Sequence, residues 1–191
     1  MDKLVGLLEE RGVKATGKYE RDYSSWHVSN LLESAYQISK GNAVYHEYQG
    51  RPKGIMSLGS LWEMLADVYL DWWAVERGGA YIPNVTMKKD DVIASLDGMI
   101  LGTEAGMMTE TKLKFSMNKD VPFRHKQQVH CYGAISGVKT VVFCILGLNT
   151  RPPEAAGRLE VYDLTERTIQ ETWEMVIKTK EYLVSLGLGP Q

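Results

Sequence analysis

The spacing of apolar residues changes near residue 80, and this change constrains the fold more than any other feature of the chain. From residue 57 to about 77, apolar residues recur at the spacing that is typical of an amphipathic helix. Residues 92–101 and 107–115 instead have the composition of two neighbouring β-strands joined by a glycine-containing loop. A chain with both patterns is expected to form a mixed α/β domain in which helices flank a central sheet.

The other segments are assigned by the same rules. The sequence predicts helices at 2–11, from Ser24 or Ser25 to about 38, at 122–136 and, capped by Thr165, at 165–186. It predicts strands at 138–148 and 159–164. An irregular stretch is expected from 42 to 56 and a Pro/Gly loop at 149–157. The strand at 138–148 is nearly continuous in apolar residues, which indicates a buried central strand.

Length and composition fit one domain. The chain has 191 residues, 44% of them hydrophobic and 24% charged, and no apolar run as long as a membrane span. Cys131 and Cys144 lie inside apolar stretches without metal-binding spacing, so we expect reduced thiols in an intracellular protein. The net charge of −2 gives no overall argument for nucleic-acid binding.

An acid and an acid-x-lysine triplet stand on the two strands that follow residue 92. Side chains alternate between the faces of a strand, so Glu110 and Lys112 point the same way, and Asp97 can face Glu110. Two carboxylates and a main-chain carbonyl, here that of Thr111, form an oxygen-rich site of the kind that Mg²⁺ or Mn²⁺ prefers. Lys112 would position the attacking water or neutralise charge on a phosphate. The pattern predicts a metal-dependent nuclease site.

Residues on two helices extend this candidate site. Glu63 stands among apolar residues and is a candidate buried acid and third metal ligand; Asp67, one turn later, is a weaker candidate. Gln128 and Tyr132 are four residues apart and therefore share a helix face. Both side chains can hydrogen-bond a phosphate, and the tyrosine can also stack on a base.

Each of these motifs also has an ordinary structural interpretation. The alternatives are a hairpin turn at Asp97-Gly98, an ion pair of Glu110 and Lys112 on an exposed strand, an exposed helix glutamate at Glu63, and a partly buried amphipathic helix carrying Gln128 and Tyr132.

Basic residues crowd the chain beside these strands. Residues 112–126 include Lys112, Lys114, Lys119, Arg124, His125 and Lys126, opposed by Asp120 alone. A basic patch next to an acidic metal site suits a DNA substrate, so Lys114 and Arg124 are candidate DNA contacts. A solvated charged face is the alternative interpretation.

Together these motifs resemble the PD-(D/E)xK nuclease superfamily, and in particular its RecB-like and phage-exonuclease (YqaJ-like) branch. The residues that correspond to that pattern are the helix glutamate Glu63, Asp97 before a glycine, Glu110 with Lys112, and Gln128 with Tyr132. The resemblance covers roughly residues 20–165. It implies a restriction-endonuclease-like αβββαβ core, dependence on Mg²⁺ or Mn²⁺, and phosphodiester hydrolysis in DNA, with a DNA-end-processing exonuclease as the leading activity.

The resemblance also organises the single domain, residues 1–191. Residues 1–56 would form an N-terminal helical segment, residues 57 to about 165 the catalytic core, and residues 165–187 a C-terminal helix. Ser25 and Trp26 lie in the part of the N-terminal segment that would line the DNA path, with the serine on a phosphate and the tryptophan stacked on a base. The competing interpretation places Trp26 in the core.

The chain departs from the family pattern in two ways. Many RecB-like members have a metal-binding histidine just before the helix glutamate, where this chain has Trp62, so the residues for a second metal ion are incomplete. CRISPR-associated relatives hold an iron–sulfur cluster with four cysteines, and the two cysteines here are placed differently, so we expect no iron–sulfur cluster.

The sequence leaves the activity open at two levels. An endonuclease or nickase on the same fold is the first alternative to an exonuclease, and a catalytically silent nucleic-acid-binding module or a structural protein is the second. The expected partners are DNA and either a second copy of the chain in a homo-oligomer or a recombination protein, with no membrane. The expected location is the cytoplasm of a bacterial or phage-infected cell.

Overall fold

The structure is a computed structural model, which describes residues 24–45, 53–102, 106–114, 120–150 and 153–190. The described helices are α1 Val28–Ser39, α2 Lys53–Val75, α3 Phe123–Ser136 and α4 Glu166–Ser185; the described strands are β1 Trp26–His27, β2 Ala80–Lys89, β3 Val92–Leu101, β4 Met107–Lys114, β5 Thr140–Thr150 and β6 Pro153–Asp163. The helix predicted at residues 2–11 lies outside the described residues.

These strands form one mixed sheet in the order β1-β3-β4-β5-β6, and β2 also pairs with β3. Because β2 pairs antiparallel with one edge of β3 from Val92 to Leu101, with an interruption at Asp97, the other edge of β3 is shared by β1 and β4. β1 pairs there with Val92 and Ile93, and β4 pairs with residues 98–100. β4 and β5 are parallel, with α3 between them in the chain, and β5 and β6 form an antiparallel hairpin.

The two faces of the sheet are covered by different helices. Successive residues Val142 and Phe143 of β5 point into two separate clusters of buried apolar side chains. The larger cluster includes Phe143 with residues of α1, α3 and α4, and the smaller cluster includes Val142 with Ala66, Leu70 and Ala74 of α2. The sheet therefore lies between α2 on one side and the other three helices on the other side.

The predicted helix at 57–77 is confirmed as α2, although α2 begins earlier, at Lys53. The apolar stripe at helical spacing faces outward: Leu61, Leu65, Val68 and Trp72 are 39–56% exposed. The alanine residues and Leu70 face the sheet instead. Because α2 is apolar on two opposite sides, its spacing predicted the helix but not the side that is buried.

Three local predictions are wrong. The loop predicted at 149–157 is wrong for the described residues of that range, because β5 continues to Thr150 and β6 begins at Pro153. The cap of α1 is His27, with no side-chain cap bond, and neither Ser24 nor Ser25 begins the helix. Strand β2 lies where the sequence predicts no strand, because Pro83 and its neighbour Asn84 interrupt the alternating pattern.

Two helices end and begin as predicted. Pro122 directly precedes α3, and Gly137 closes α3 with a φ of 76°, a conformation that favours glycine. At the start of α4, Thr165 Oγ1 accepts a hydrogen bond from the Thr168 N–H at 3.2 Å. None of the described helices is long and apolar enough to cross a membrane.

Candidate active site

The candidate residues converge where the sheet is interrupted. Among the described residues, β3 and β4 pair from Gly98–Thr109 to Ile100–Met107 and no further toward the start of β3. β1 takes the same edge of β3 at Val92 and Ile93. Residues 94–97 therefore lie between the two pairings, beside the half of β4 that carries Glu110 and Lys112. We call this region the β3–β4 gap.

Asp97 lies in the β3–β4 gap and is fixed there through its carboxylate. Its Oδ2 accepts a hydrogen bond from the Thr111 N–H at 2.6 Å, where a regular ladder would supply a main-chain acceptor. The hairpin-turn interpretation is wrong, because Asp97-Gly98 lies within β3. The N–H and C=O of one strand residue project from the same edge, so the Thr111 carbonyl, the predicted metal ligand, also faces this gap.

Glu110 and Lys112 form an ion pair inside the protein. Their side chains are 1% and 20% exposed, so the interpretation as a pair on an exposed strand is wrong. Burial raises the pKa of the Glu110 carboxyl, and the nearby charge of Asp97 raises it further, whereas Lys112 lowers it. Burial alone would lower the pKa of Lys112, but the charges of Glu110, Asp97 and Glu63 raise it overall. Lys112 therefore stays protonated near neutral pH.

Two acids of α2 face the same region. Glu63 is an exposed residue, which corrects the prediction of a buried acid. Partial removal of its carboxyl from water and the charge of Asp97 nevertheless raise its pKa to about 7, against the opposing effect of Lys112. Burial raises the pKa of Asp67 to about 6, with a smaller contribution from Asp97 and an opposing hydrogen bond from Tyr81. Thus α2 adds carboxyl groups to those of β3 and β4.

Tyr132 of α3 closes the gap from the other face of the sheet. Its hydroxyl donates to the Ser95 carbonyl at 2.9 Å, and Gln128 Nε2 donates to the same hydroxyl. Because Tyr132 is 3% exposed, the prediction that it stacks on a base is wrong. Its pKa is raised, first by burial and then by the charge of Glu110, which places it beside the acidic site. Tyr132 supports the interrupted strand from within the core.

Tyr81 of β2 is a site residue that the sequence motifs do not contain. Its hydroxyl donates to Asp67 Oδ1 at 2.6 Å and lies 3.3 Å from the Asp97 carbonyl oxygen. Asp67, a weaker candidate in the sequence, thus contacts the site through Tyr81. Two signals were available in the sequence, Asp67 one helical turn after Glu63 and the β-forming residues around Tyr81, but neither shows that the two side chains meet.

The predicted DNA contacts of the N-terminal segment are partly buried. Trp26 belongs to β1, and its ring packs edge-on against the Tyr45 ring, with 5.0 Å between the ring centres. A side-chain carbon at Gly189 would lie 3.0 Å from the Trp26 ring. Ser25, just before β1, is half-buried. These contacts favour the core interpretation of Trp26, and a DNA contact by either residue stays a prediction.

The predicted basic contacts both have protein partners. Lys114 Nζ donates to the Asp120 carbonyl at 2.8 Å, and Arg124 pairs with Glu33 of α1. Burial lowers the pKa of Lys114, and the charges of Arg158 and Lys126 lower it further, against the opposing charges of Glu160 and Asp120. Lys114 and Arg124 thus lie in mixed-charge surroundings, and their contact with DNA stays a prediction.

The chemistry of the donor set at the gap, though not its present arrangement, fits a hard divalent cation. Asp97, Glu110, Glu63 and the Thr111 carbonyl offer oxygen ligands, which Mg²⁺ and Mn²⁺ prefer. Glu110 Oε2 is buried and has no hydrogen-bond partner in the described part of the chain. No three His, Cys, Asp or Glu side chains among the described residues already converge as a metal site. Two of the carboxylates instead point elsewhere, Asp97 to the Thr111 N–H and Glu110 to Lys112.

Trp62 and the cysteines contribute to packing at this site. Trp62 Nε1 donates to the Cys144 carbonyl at 3.3 Å, which ties α2 to β5 immediately before Glu63. Cys131 and Cys144 are buried free thiols, and burial raises their pKa values to about 12 and about 11. Both therefore remain protonated at neutral pH.

The fold built around this site is similar to that of an alkaline exonuclease (LHK-Exo) from Laribacter hongkongensis. That structure aligns with a TM-score of 0.55 at 14% identity, covering 85% of this chain and 89% of that one. LHK-Exo in complex with dAMP aligns with the same TM-score and coverage at 15% identity. No protein-family model matches the chain, and no curated protein matches it in sequence. The predicted restriction-endonuclease-like α/β fold is confirmed, and at this identity the similarity extends to the fold alone.

Proposed function

We propose that this protein is a Mg²⁺- or Mn²⁺-dependent nuclease that hydrolyses phosphodiester bonds at DNA ends. The observation that carries the proposal is the Glu110–Lys112 pair, buried beside Asp97 in the β3–β4 gap. Burying an acid and a base next to further carboxylates costs folding free energy, because the charges lose water, unless ion pairing and hydrogen bonds offset that loss. Such groups with shifted pKa values concentrate at functional sites, so the arrangement favours an active site over a structural strand pair.

The residues of the gap have complementary roles in this reaction. Asp97, Glu110, Glu63 and the Thr111 carbonyl would hold the cation, which when bound polarises a phosphate oxygen. Lys112 keeps its proton and, fixed by Glu110, would neutralise negative charge that develops on the phosphoryl group. Gln128 and Tyr132 hold the Ser95 main chain beside the reacting groups.

The preference for an exonuclease over an endonuclease or nickase comes from the similar structures. Both aligned LHK-Exo structures are of an exonuclease, and one contains dAMP, a nucleoside monophosphate. The geometry of the gap suits phosphodiester hydrolysis in all three cases. An exonuclease is therefore distinguished from an endonuclease or a nickase by the topology of the DNA that the protein cleaves.

The test compares a linear end-labelled DNA with a covalently closed circle, in Mg²⁺, in Mn²⁺ or in EDTA. We expect loss of the linear DNA with either metal, no change in EDTA, and no cleavage by Lys112→Ala. Lys139→Ala is the control, because Lys139 pairs with Glu166 at the surface and should cleave like wild type.

Each outcome of this test leads to a distinct conclusion. Metal-dependent cutting of the circle would replace the exonuclease with an endonuclease or nickase. Cleavage that survives Lys112→Ala would place the chemistry outside the gap. Absence of cleavage by folded wild type, together with no Mn²⁺ binding in calorimetry, would overturn the nuclease proposal in favour of a silent module.

A further inference from the structure

We propose that Tyr81 and Asp67 form a positioning pair that fixes the main chain of Asp97 and so holds the Asp97 carboxylate in the β3–β4 gap. This inference rests on the proposed function, because it concerns the same site. Tyr81 is absent from the motifs that identify the site in the sequence, and Asp67 is there only a weaker candidate for a metal ligand. Their role is to orient a metal-ligating group, not to contact the substrate.

Asp97 needs such support because the ladder does not hold it on either edge. On one edge, the pairing with β4 stops at Gly98–Thr109. On the other edge, the register with β2 passes from Pro83–Gly98 to Val85–Leu96 and omits Asn84 and Asp97. Asn84 has a φ of 54°, which is uncommon for a residue other than glycine and marks the irregularity in β2. Asp97 is therefore the point at which both ladders of β3 are interrupted.

The Tyr81 hydroxyl takes the place of the missing ladder contact. The hydroxyl oxygen lies 2.6 Å from Asp67 Oδ1 and 3.3 Å from the Asp97 carbonyl oxygen, so its single proton can be shared between these two acceptors. The short contact to Asp67 fixes the hydroxyl, and the longer one gives Asp97 a main-chain partner. Tyr81 belongs to β2 and Asp67 to α2, so the pair connects two elements to the interrupted strand. Restraining the Asp97 main chain also restrains its carboxylate, which accepts from Thr111.

Gly98 is what lets the Tyr81 ring reach this position. A side-chain carbon built at Gly98 would lie 2.4 to 2.6 Å from the Cε2, hydroxyl and Cζ atoms of Tyr81. Such distances are far below van der Waals contact, so the ring and any side chain at this position exclude each other. The glycine after Asp97 therefore has a physical role, because it leaves room for the Tyr81 ring to pack against β3 beside Asp97.

A tyrosine that only stabilises packing between α2 and β2 would make the same bond to Asp67. The two roles differ in what they affect. A purely packing role predicts lower stability with unchanged metal dependence. A positioning role predicts weaker metal binding and looser attachment of the Thr111 N–H to Asp97, because both depend on where the Asp97 carboxylate is held.

The test uses Tyr81→Phe, which keeps the ring over Gly98 and removes the hydroxyl, and Asp67→Ala, which removes the acceptor of that hydroxyl. The Mn²⁺ concentration for half-maximal DNA cleavage should rise about 10- to 100-fold in each, as is usual when a partner of a metal ligand is removed. The double variant should be no worse than the single ones, because the two residues act as one unit. Tyr69→Phe, an exposed tyrosine of α2, is the matched control and should behave like wild type.

A second measurement does not require activity. Hydrogen exchange of the Thr111 amide, followed by NMR in EDTA, should be about 10-fold faster in Tyr81→Phe than in Tyr69→Phe, since its acceptor is less well held. Amides of the β5–β6 hairpin should be unaffected, which separates a local change from general destabilisation.

The outcomes for the positioning pair and for the nuclease are distinguishable. If wild type cleaves DNA and Tyr81→Phe shows the same Mn²⁺ dependence and the same Thr111 exchange, the positioning pair is refuted and the nuclease stands. If folded wild type neither cleaves DNA nor binds Mn²⁺, the nuclease is refuted, and Thr111 exchange alone decides whether Tyr81 positions Asp97.

Discussion

The β5–β6 hairpin and the β3–β4 pair lie in the same sheet but are constructed differently. The hairpin pairs without interruption from Thr140–Asp163 to Thr150–Pro153. The β3–β4 pair ends after a short ladder, so its main-chain groups find side-chain partners instead, the Ser95 carbonyl in Tyr132 and the Thr111 N–H in Asp97. Because buried main-chain groups must be satisfied, interrupting a ladder draws polar side chains into the sheet. The candidate site is formed by that interruption.

Both regions carry an acid and a base two residues apart on one strand. Arg158 and Glu160 of β6 form a pair at 2.7 Å in which each side chain is 39% exposed, and Glu110 and Lys112 form the buried pair of β4. The two pairs are in register across β5, through Phe143 and Ile145. An exposed pair contributes little to stability, whereas a buried pair shifts pKa values. Burial, not residue type, distinguishes the candidate site from an ordinary surface pair.

Removing the charge of the acid should have very different consequences for DNA cleavage in the buried pair and in the exposed pair. Glu110→Gln should lower cleavage by about 10²- to 10³-fold, the usual result of removing one group that stabilises the transition state. Glu160→Gln makes the same chemical change in the exposed pair and should leave cleavage unchanged. Initial rates on end-labelled linear DNA at saturating Mn²⁺ measure both. Equal loss in the two variants would show that the buried pair has no special role.

Two glycines allow a matched test of packing. Gly98→Ala places a methyl group against the Tyr81 ring and should destabilise the protein by about 1–3 kcal/mol, as overpacking does. At Gly157 of β6 the added carbon would lie 3.7 Å from the Trp62 ring, an ordinary contact, so Gly157→Ala should change stability far less. Urea unfolding midpoints measure the difference. If Gly98→Ala is as stable as Gly157→Ala, the close approach of the Tyr81 ring to Gly98 is wrong.

Stability should also depend on pH because of the acids of α2. The pKa of Glu63 is raised from 4.5 to about 7 in the folded protein, and that of Asp67 from 3.8 to about 6. Between the ordinary pKa of each group and its raised pKa in the folded protein, the folded state binds more protons than the unfolded state. The free energy of unfolding therefore falls as pH rises from about 4 to about 7. Thermal unfolding in EDTA should show a lower Tm at pH 7.5 than at pH 5.

A variant with both Glu63→Gln and Asp67→Asn isolates this contribution. Its Tm should change less between pH 5 and pH 7.5 than that of wild type, because neither group then titrates. Adding Mn²⁺ at pH 7.5 should raise the Tm of wild type, since the cation favours the charged carboxylates. An unchanged pH dependence in the double variant would assign the effect to other groups.

The elements that the sequence predicted well are those with local signals. β3, β4, α3 and α4 each show a clear periodicity and a turn or cap residue at an end, and the motif acids Asp97 and Glu110 lie on β3 and β4. Tyr81 could not be predicted, because its partners Asp67 and Asp97 are 14 and 16 residues away and meet it only in the folded sheet. The exposure of Glu63 also escaped prediction, since Glu63 shares the sheet-facing side of α2 with the buried Leu70 and Ala74, and periodicity does not show that its side chain stays accessible there.

The exposed side chain of Val161 tests whether the β5–β6 hairpin is a regular part of the sheet that takes no part in the site. Val161 of β6 is 60% exposed and pairs with the fully buried Val142 of β5. Val161→Thr keeps the β-branched shape and should change the free energy of unfolding by less than about 0.5 kcal/mol, as exposed substitutions usually do. Cleavage should be unchanged as well, because the continuous ladder holds β6 without help from this side chain. A clear loss of activity with unchanged stability would mean that β6 takes part in the site. The site would then not be confined to the β3–β4 gap.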